Sequence, residues 1–258
     1  LRDSRTRVRR LTAPPMSSAG VTEVMLGLDI GSTGSKLVVL DVASARPVWE
    51  CYRSTNGDPV ASAQALLRSF AEAPVGSVPV RGFGVTGSGR EIVGSLLTTC
   101  YGSGVVYVLN EIAAHAEGAH AYDPRLDTIF EIGGQDAKYI RLAEGRVIDC
   151  AMNEACSAGT GSFIEEQGRK FPGIRDVVHL AEEAMAADAG VSLGQHCSVF
   201  MAEVIDGAVA AGTPSPASIA GLYDSVIQNY LNRVKGSRSV GHGVFCQGMP
   251  FASDALAA

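Results

Sequence analysis

Apolar residues recur along this chain in two different periods. Over residues 24–41, VMLGLDIGSTGSKLVVLD, two apolar runs flank a polar glycine turn, which predicts a hairpin whose turn faces a ligand. A third strand is expected over 48–53, a helix over 61–73 and a strand over 80–85 that ends in TGSGR. Helix 91–97, strand 104–108, the alanine-rich helix 111–119 and strand 128–132 follow, the last running into GGQD. The stretch TIFEIGGQDAKYIRL then repeats the opening logic of strand, glycine and acid turn, strand. Helices over 161–170, 175–187, 198–211 and 215–235 give the second half a helical bias, and a last strand is expected over 243–247. Two similar hairpins about 100 residues apart predict two related lobes facing each other across a cleft. The expected class is α/β, with a first lobe over 23–108 and a second over 109–258.

Composition narrows this picture. The chain has 258 residues, 46% of them hydrophobic, which is enough for one large domain or two modest ones. Its 30 glycines against 11 prolines place glycine in tight turns rather than in a linker. With 21 basic and 27 acidic residues the net charge is -6, which argues against a partner recognised through a nucleic-acid backbone. No run approaches about 18 uncharged apolar residues, so no membrane span is expected and a cytoplasmic location is. Residues 1–22 hold five arginines and two prolines and read as a tag, linker or disordered leader, without the apolar region of a signal peptide. Six cysteines without a CxxC pair point to reduced thiols or a cofactor site. Cys51, Cys100 and Cys246 are expected as small buried hydrophobes and Cys150 as part of a strand core.

Chemistry concentrates in the turns. In DIGSTGSK, Asp29 ends a strand within reach of a hydrated metal ion. Gly31, Ser32, Thr33, Gly34 and Ser35 present backbone N–H groups and hydroxyls, and Lys36 adds a mobile positive charge, a set suited to a polyphosphate. TGSGR at 86–90 and EIGGQD at 131–136 supply two more glycine turns at strand ends. His115 and His120 are five apart, off the i,i+4 face that a helical metal pair needs, and are expected in structural or surface roles. Cys156 precedes SAGTGSF and Cys197 precedes SVFMAEVIDGAVAA, so both thiols are expected at helix N-termini, where the dipole and free N–H groups favour a thiolate or an anionic cluster.

In order, DIGSTGSK, VTGSGR, NEIAAHAEGA, EIGGQDAKYI, MNEACSAGTGSF and CSVFMAEV resemble the activator ATPases of the 2-hydroxyacyl-CoA dehydratases and benzoyl-CoA reductases. That family belongs to the actin, sugar kinase and Hsp70 ATPase superfamily, so the resemblance implies an actin-like, ribonuclease H-like fold with two lobes around a nucleotide cleft. It further implies a homodimer in which each subunit gives two thiolates, Cys156 and Cys197, to one bridging 4Fe-4S cluster. Asp29 and Asp136 would hold hydrated Mg²⁺, Gln135 would help place the attacking water, and Gly133, Gly134 and Gly248 would lie on ATP or ADP. The implied function is ATP-dependent electron activation, with ferredoxin or flavodoxin as donor and an acyl-CoA dehydratase or reductase as acceptor. The family string QGGxxxN, near the nucleotide base in the family, reads QGMPFASD here, with Met249 in place of the second glycine and Ser253 in place of the asparagine, and the chain ends at Ala258 within the helix expected next. Two other readings stay open: a small-molecule kinase of the same superfamily, and a non-catalytic regulatory domain of a fusion protein.

Overall fold

The computed structural model describes residues 15–153 and 157–256. Two compact units divide between His115 and Ala116.

The first unit is built on a mixed sheet. Strands β1 (Val24–Ile30), β2 (Gly34–Asp41), β3 (Pro47–Ser54), β4 (Val80–Thr86) and β5 (Val106–Val108) are arranged in the order β3-β2-β1-β4-β5. Antiparallel pairs join β1 to β2 and β2 to β3, while β1 runs parallel to β4 and β4 to β5. Parallel neighbours need a crossover. Helices α1 (Pro59–Glu72) and α2 (Arg90–Tyr101) supply it. Asp58 starts α1 by accepting from the Ala61 N–H at 2.9 Å, with Pro59 pre-set for the first turn. Alternation along β1 and β2 sends Leu26, Leu28, Ile30, Leu37 and Val39 into a core shared with Leu66, Phe70, Val93 and Leu97. Burying each large side chain stabilises the unit by roughly 1.5–3 kcal/mol. Truncating Leu28 to Ala would cost about 2–5 kcal/mol.

The second unit repeats the plan. Here β6 (Thr128–Ile132), β7 (Ala137–Ala143), β8 (Arg146–Met152) and β9 (Val244–Gln247) lie in the order β8-β7-β6-β9. Between β8 and β9 come α4 (Gly161–Gly168), α5 (Val177–Ala186), α6 (Ser198–Ala210) and α7 (Ser215–Asn229). Helix α3 (Glu111–Tyr122) spans the division between the units. One face of the second sheet, with Ile132, Ala137 and Tyr139, packs against Phe163, Leu180, Met201, Ile219, Leu222, Val226 and Tyr230. The helix expected over 215–235 is α-helical to Asn229 and then π-helical over Tyr230–Lys235, closed by Gly236 at φ 55°. The strand expected over 104–108 is shorter, because a 3₁₀ turn at Ser103–Val105 precedes β5.

Four cysteines expected in the core differ from expectation. Cys100, Cys150 and Cys246 are exposed and Cys51 is half-buried. Cys150 and Cys246 lie on the two edge strands of their sheet, and Cys100 on the last turn of α2, where there are fewer neighbours to cover a side chain.

Asp127 ties the start of β6 to the segment leading into β9. It accepts from the His242 N–H at 2.9 Å, the Gly243 N–H at 3.3 Å and the Thr128 hydroxyl at 3.0 Å, and it pairs with Arg141 at 2.9 Å. Burial alone would raise its carboxyl, but these donors and the Arg141 charge hold it below its ordinary value of 3.8. A depressed folded value means that the stabilisation is complete above the ordinary value and is lost as the pH falls. Asp127→Asn should therefore cost about 1–3 kcal/mol at neutral pH. In urea titrations it should also flatten the fall in stability between about pH 5 and pH 3. An unaltered pH profile in the variant would refute this role.

Candidate functional site

The first turn is drawn tight by its own backbone. The Gly31 N–H donates to the Gly34 carbonyl at 3.1 Å, and a methyl group on Gly31 would come within 2.6 Å of that oxygen. Thr55, just after β3, holds the outside of the turn. Its N–H donates to Thr33 O at 2.9 Å, its hydroxyl donates to Gly31 O at 2.7 Å, and Ser35 Oγ lies 2.8 Å from Thr55 Oγ1. Tyr52 closes over Gly34, where any side chain would strike its ring. With the carbonyls held by Thr55, the turn is left with Ser32, Thr33 and Lys36 on its open side. Lys36 Nζ sits 3.9 Å from Asp29 Oδ2, both side chains more than two-fifths exposed. At that exposure and distance the pair is weak, and both groups are available to a ligand.

The TGSGR segment docks onto this turn. Thr86 lies beside Asp29 in the parallel β1–β4 register, and the Gly89 N–H donates to Ile30 O at 2.8 Å. Gly87 has φ 89°, and a methyl group there would come within 2.5 Å of Ile30 O and 2.7 Å of Asp29 Oδ1. Arg90 holds the segment by donating to Gly87 O at 3.1 Å and pairing with Glu111 at 2.9 Å. The Thr86 hydroxyl is buried and has no partner among the described residues. An orphaned hydroxyl beside an exposed carboxylate, under a glycine cradle that a single carbon would fill, fits a hydrated cation and phosphate oxygens.

The second turn follows the first residue for residue. The Gly133 N–H donates to Asp136 O at 2.8 Å, as Gly31 does to Gly34. Asn153, just after β8, takes the place of Thr55. Its Oδ1 accepts from the Ala137 N–H at 2.7 Å and its Nδ2 donates to Gln135 O at 3.3 Å. The start of α4 holds the turn as well, with the Gly161 N–H on Gly133 O and the Ser162 N–H on Gly134 O, both at 2.8 Å. Gly248, at φ 110°, packs so close to the Ile132 carbonyl that no side chain fits. Gln135 is exposed, with Nε2 3.5 Å from Ser162 Oγ, and Asp136 is half-buried. Met249 is exposed, and the Ser253 hydroxyl lies beside Tyr223, whose phenol burial pushes up to about 12.

The structure thus places Asp29 to Lys36 on one turn and Gly133, Gly134, Gln135, Asp136 and Gly248 on or against the other. Cys197 is half-buried and is the N-cap of α6, with no side chain capping the helix. Val199 and Phe200 beside it are largely exposed. Cys156 lies outside the described residues. Among the described residues no three His, Cys, Asp or Glu side chains gather into a metal group, and a design with two thiolates per chain would not form one.

Thr55, Thr86, Asn153 and Glu131 were not singled out by sequence. The shared string acid-Ile-Gly at 29–31 and 131–133 could have found the last, because it aligns Glu131, not Asp136, with Asp29.

Thr86→Val and Gly87→Ala should separate ligand chemistry from folding. Thr86→Val removes a hydroxyl without a partner among the described residues, so thermal stability should hold while affinity for Mg-ATP falls about tenfold. Gly87→Ala should lower stability as well, because its methyl group meets backbone and the Asp29 carboxylate. Unchanged ATP affinity in both variants, measured by calorimetry, would count against a ligand at this turn.

Comparison with known proteins bears on the family and the fold. The chain is 29% identical over 215 residues to the 2-hydroxyisocaproyl-CoA dehydratase activator of Clostridioides difficile, covering 81% of this chain and 75% of that protein. It is 28% identical over 215 residues to the (R)-2-hydroxyglutaryl-CoA dehydratase activating ATPase of Acidaminococcus fermentans, covering 81% and 77%. The solved structure of the 2-hydroxyisocaproyl-CoA dehydratase activator from Clostridium difficile with bound ADPNP matches with a TM-score of 0.76 and 27% identity, over 90% of this chain and 82% of that one. The Acidaminococcus fermentans (R)-2-hydroxyglutaryl-CoA dehydratase component A has the same fold, with a TM-score of 0.76 at 24% identity and coverage of 91% and 86%. The actin-like α/β fold expected from the motifs is therefore the observed one. With the family profile matching residues 26–257, the chain belongs to the BadF/BadG/BcrA/BcrD ATPase family.

Proposed function

We propose that this protein is an ATP-dependent electron activator that couples ATP hydrolysis to low-potential electron transfer toward an acyl-CoA dehydratase or reductase. The observation that carries this reading is the fastening of segment 153–161. Asn153 at one end and Gly161 at the other both bond the second turn, and Cys156 lies between them. A ligand that alters the Gly133–Asp136 backbone therefore pulls on both ends of the cysteine segment. Differential affinity of ATP and ADP for two arrangements of the turn would bias the position of the thiolate.

In this reading phosphate is bound on the open side of the two turns, by Ser32, Thr33 and Lys36 on the first and by Gly134 on the second; the Gly31 and Gly133 N–H groups and the buried Ser35 hydroxyl, expected on phosphate, are used up within the fold, and with Gly34 and Gly248 they shape the turns. Asp29 and Asp136 orient hydrated Mg²⁺, and Gln135, exposed on its turn, places the attacking water. Cys156 and Cys197 hold a 4Fe-4S cluster shared with a second copy of the chain, which supplies one-electron chemistry when bound. Val199 and Phe200, exposed next to Cys197, supply apolar contact in that dimer. The electron donor is a ferredoxin or flavodoxin. The relatives, as activators of CoA dehydratases, support the acceptor class.

Anaerobic preparations should hold about two iron atoms per chain, and Cys156→Ser or Cys197→Ser should lose them while the exposed Cys150→Ser keeps them. Asp29→Asn and Asp136→Asn should remove most Mg-ATPase activity with iron retained. Asn153→Ala should still hydrolyse ATP within several-fold of wild type, yet lose the difference between ATP and ADP in the rate of iron release to a chelator. Full iron in Cys197→Ser, or equal release rates with the two nucleotides in wild type, would refute the reading.

A further inference from the structure

The two hairpins carry an acid and a lysine at the same cross-strand position, in opposite environments. Asp29 pairs with Lys36 across β1 and β2, and Glu131 with Lys138 across β6 and β7, each acid two residues before the first glycine of its turn. Asp29 and Lys36 are 3.9 Å apart and exposed. Glu131 and Lys138 are 3.3 Å apart, and each side chain is only 7% exposed. Glu131 Oε2 receives Lys138 Nζ, while Oε1 lies against Gly133, where a methyl group would come within 2.8 Å of it. The Lys138 main chain is held too. The Tyr230 hydroxyl donates to its carbonyl at 2.8 Å from the first residue of the π-helical segment. Burial, and then the Glu131 charge, push the Tyr230 phenol far up, so it stays a donor.

We propose that Glu131 and Lys138 are a positioning pair for the second phosphate turn, and that only the Asp29 and Lys36 pair keeps its charges for ligand and metal. A buried carboxylate neutralised by an adjacent ammonium is costly to open, because separating them leaves one charge unpaired away from water. With its carboxylate wedged between Lys138 and the Gly133 backbone, Glu131 fixes the start of the turn. The turn's open groups, Gly134, Gln135 and Asp136, then keep one geometry. An exposed pair at 3.9 Å exerts no such hold, and Thr55 clamps the first turn in its place. The same register therefore gives one turn with mobile charges and one with a fixed frame.

This inference rests on the ATPase reading above, and its test separates the two. Glu131→Gln, Lys138→Met and the double variant would be compared in full-length holoprotein for KM, kcat, half-saturating Mg²⁺ and urea unfolding. A positioning pair predicts that each single change raises KM for ATP about tenfold, leaves half-saturating Mg²⁺ unchanged, and combines in the double variant to no more than the larger single effect. If a single variant fails to fold, the double variant keeps the position neutral and carries the test, with a raised KM at unchanged Mg²⁺ dependence expected. A higher Mg²⁺ requirement in Glu131→Gln, an unchanged KM in the double variant, or additive effects of the two changes would each overturn the proposal. If wild type neither binds nor hydrolyses ATP, the functional reading fails, and additive unfolding energies in the urea cycle would then overturn the pair separately.

Discussion

In the second unit the start of α4, the residue after β8 and the approach to the QGMPF segment all meet the backbone of one short turn. The carbonyls of Gly133, Gly134 and Gln135 accept hydrogen bonds from Gly161, Ser162 and Asn153, and the Ala137 N–H donates to Asn153. Gly248 packs on the carbonyl of Ile132 just before it. Each backbone group at a turn must find a partner or water, and here the partners come from two separate stretches of chain, with a third packed alongside. Glycine is required at Gly133 and Gly248 because a side chain at either would occupy the space of a carbonyl or of the Glu131 carboxylate. A bound phosphate that drew on the turn's remaining N–H groups would therefore be felt at the start of α4, at the end of β8 and at the entry to the QGMPF segment.

Much of this architecture was legible in the sequence for local reasons. The period-2 runs flanking DIGSTGSK and EIGGQD define their hairpins without tertiary information, and the apolar spacing over 61–73 finds α1, although its start two residues earlier, at Pro59 after the Asp58 cap, was missed. Sheet order was not legible, because it depends on which strand lies at an edge. That is why Cys150 and Cys246, in apolar strand segments, read as core and prove exposed on edge strands. The clamps were hidden for a related reason. Thr55 and Asn153 sit 24 and 20 residues from the glycines whose turns they hold, as Thr55 to Gly31 and Asn153 to Gly133, and a lone polar residue after a strand carries no periodic signal. Glu131 and Lys138 are both buried, which their charge alone does not reveal, because the cover over β6 and β7 comes from distant chain.

The two turns also differ in how their clamps work. Thr55 acts through a hydroxyl that donates to one carbonyl and lies against Ser35, so its hold is short and local. Asn153 has both a donor and an acceptor on its side chain, and it bridges the Ala137 N–H and the Gln135 carbonyl at once. Threonine could not make that bridge with one oxygen at the same reach. The amide thus suits a place where the end of β8 is located relative to the turn.

Asymmetry between equivalent positions follows from the same physics. A carboxylate and an ammonium in water attract weakly and remain free to exchange partners, which suits groups that must meet a charged ligand and let it go. Buried, the same two groups are held by the desolvation cost of separating them, which suits a frame that must not rearrange. Asp29 and Lys36 stand in the first condition and Glu131 and Lys138 in the second, although the hairpins place them in one register. The difference arises from cover and not from sequence: the charge types are the same, and it is the packing around β6 and β7 that removes the second pair from water. A duplicated hairpin can in this way divide labour between a responsive turn and a rigid one without changing the strand register that positions both.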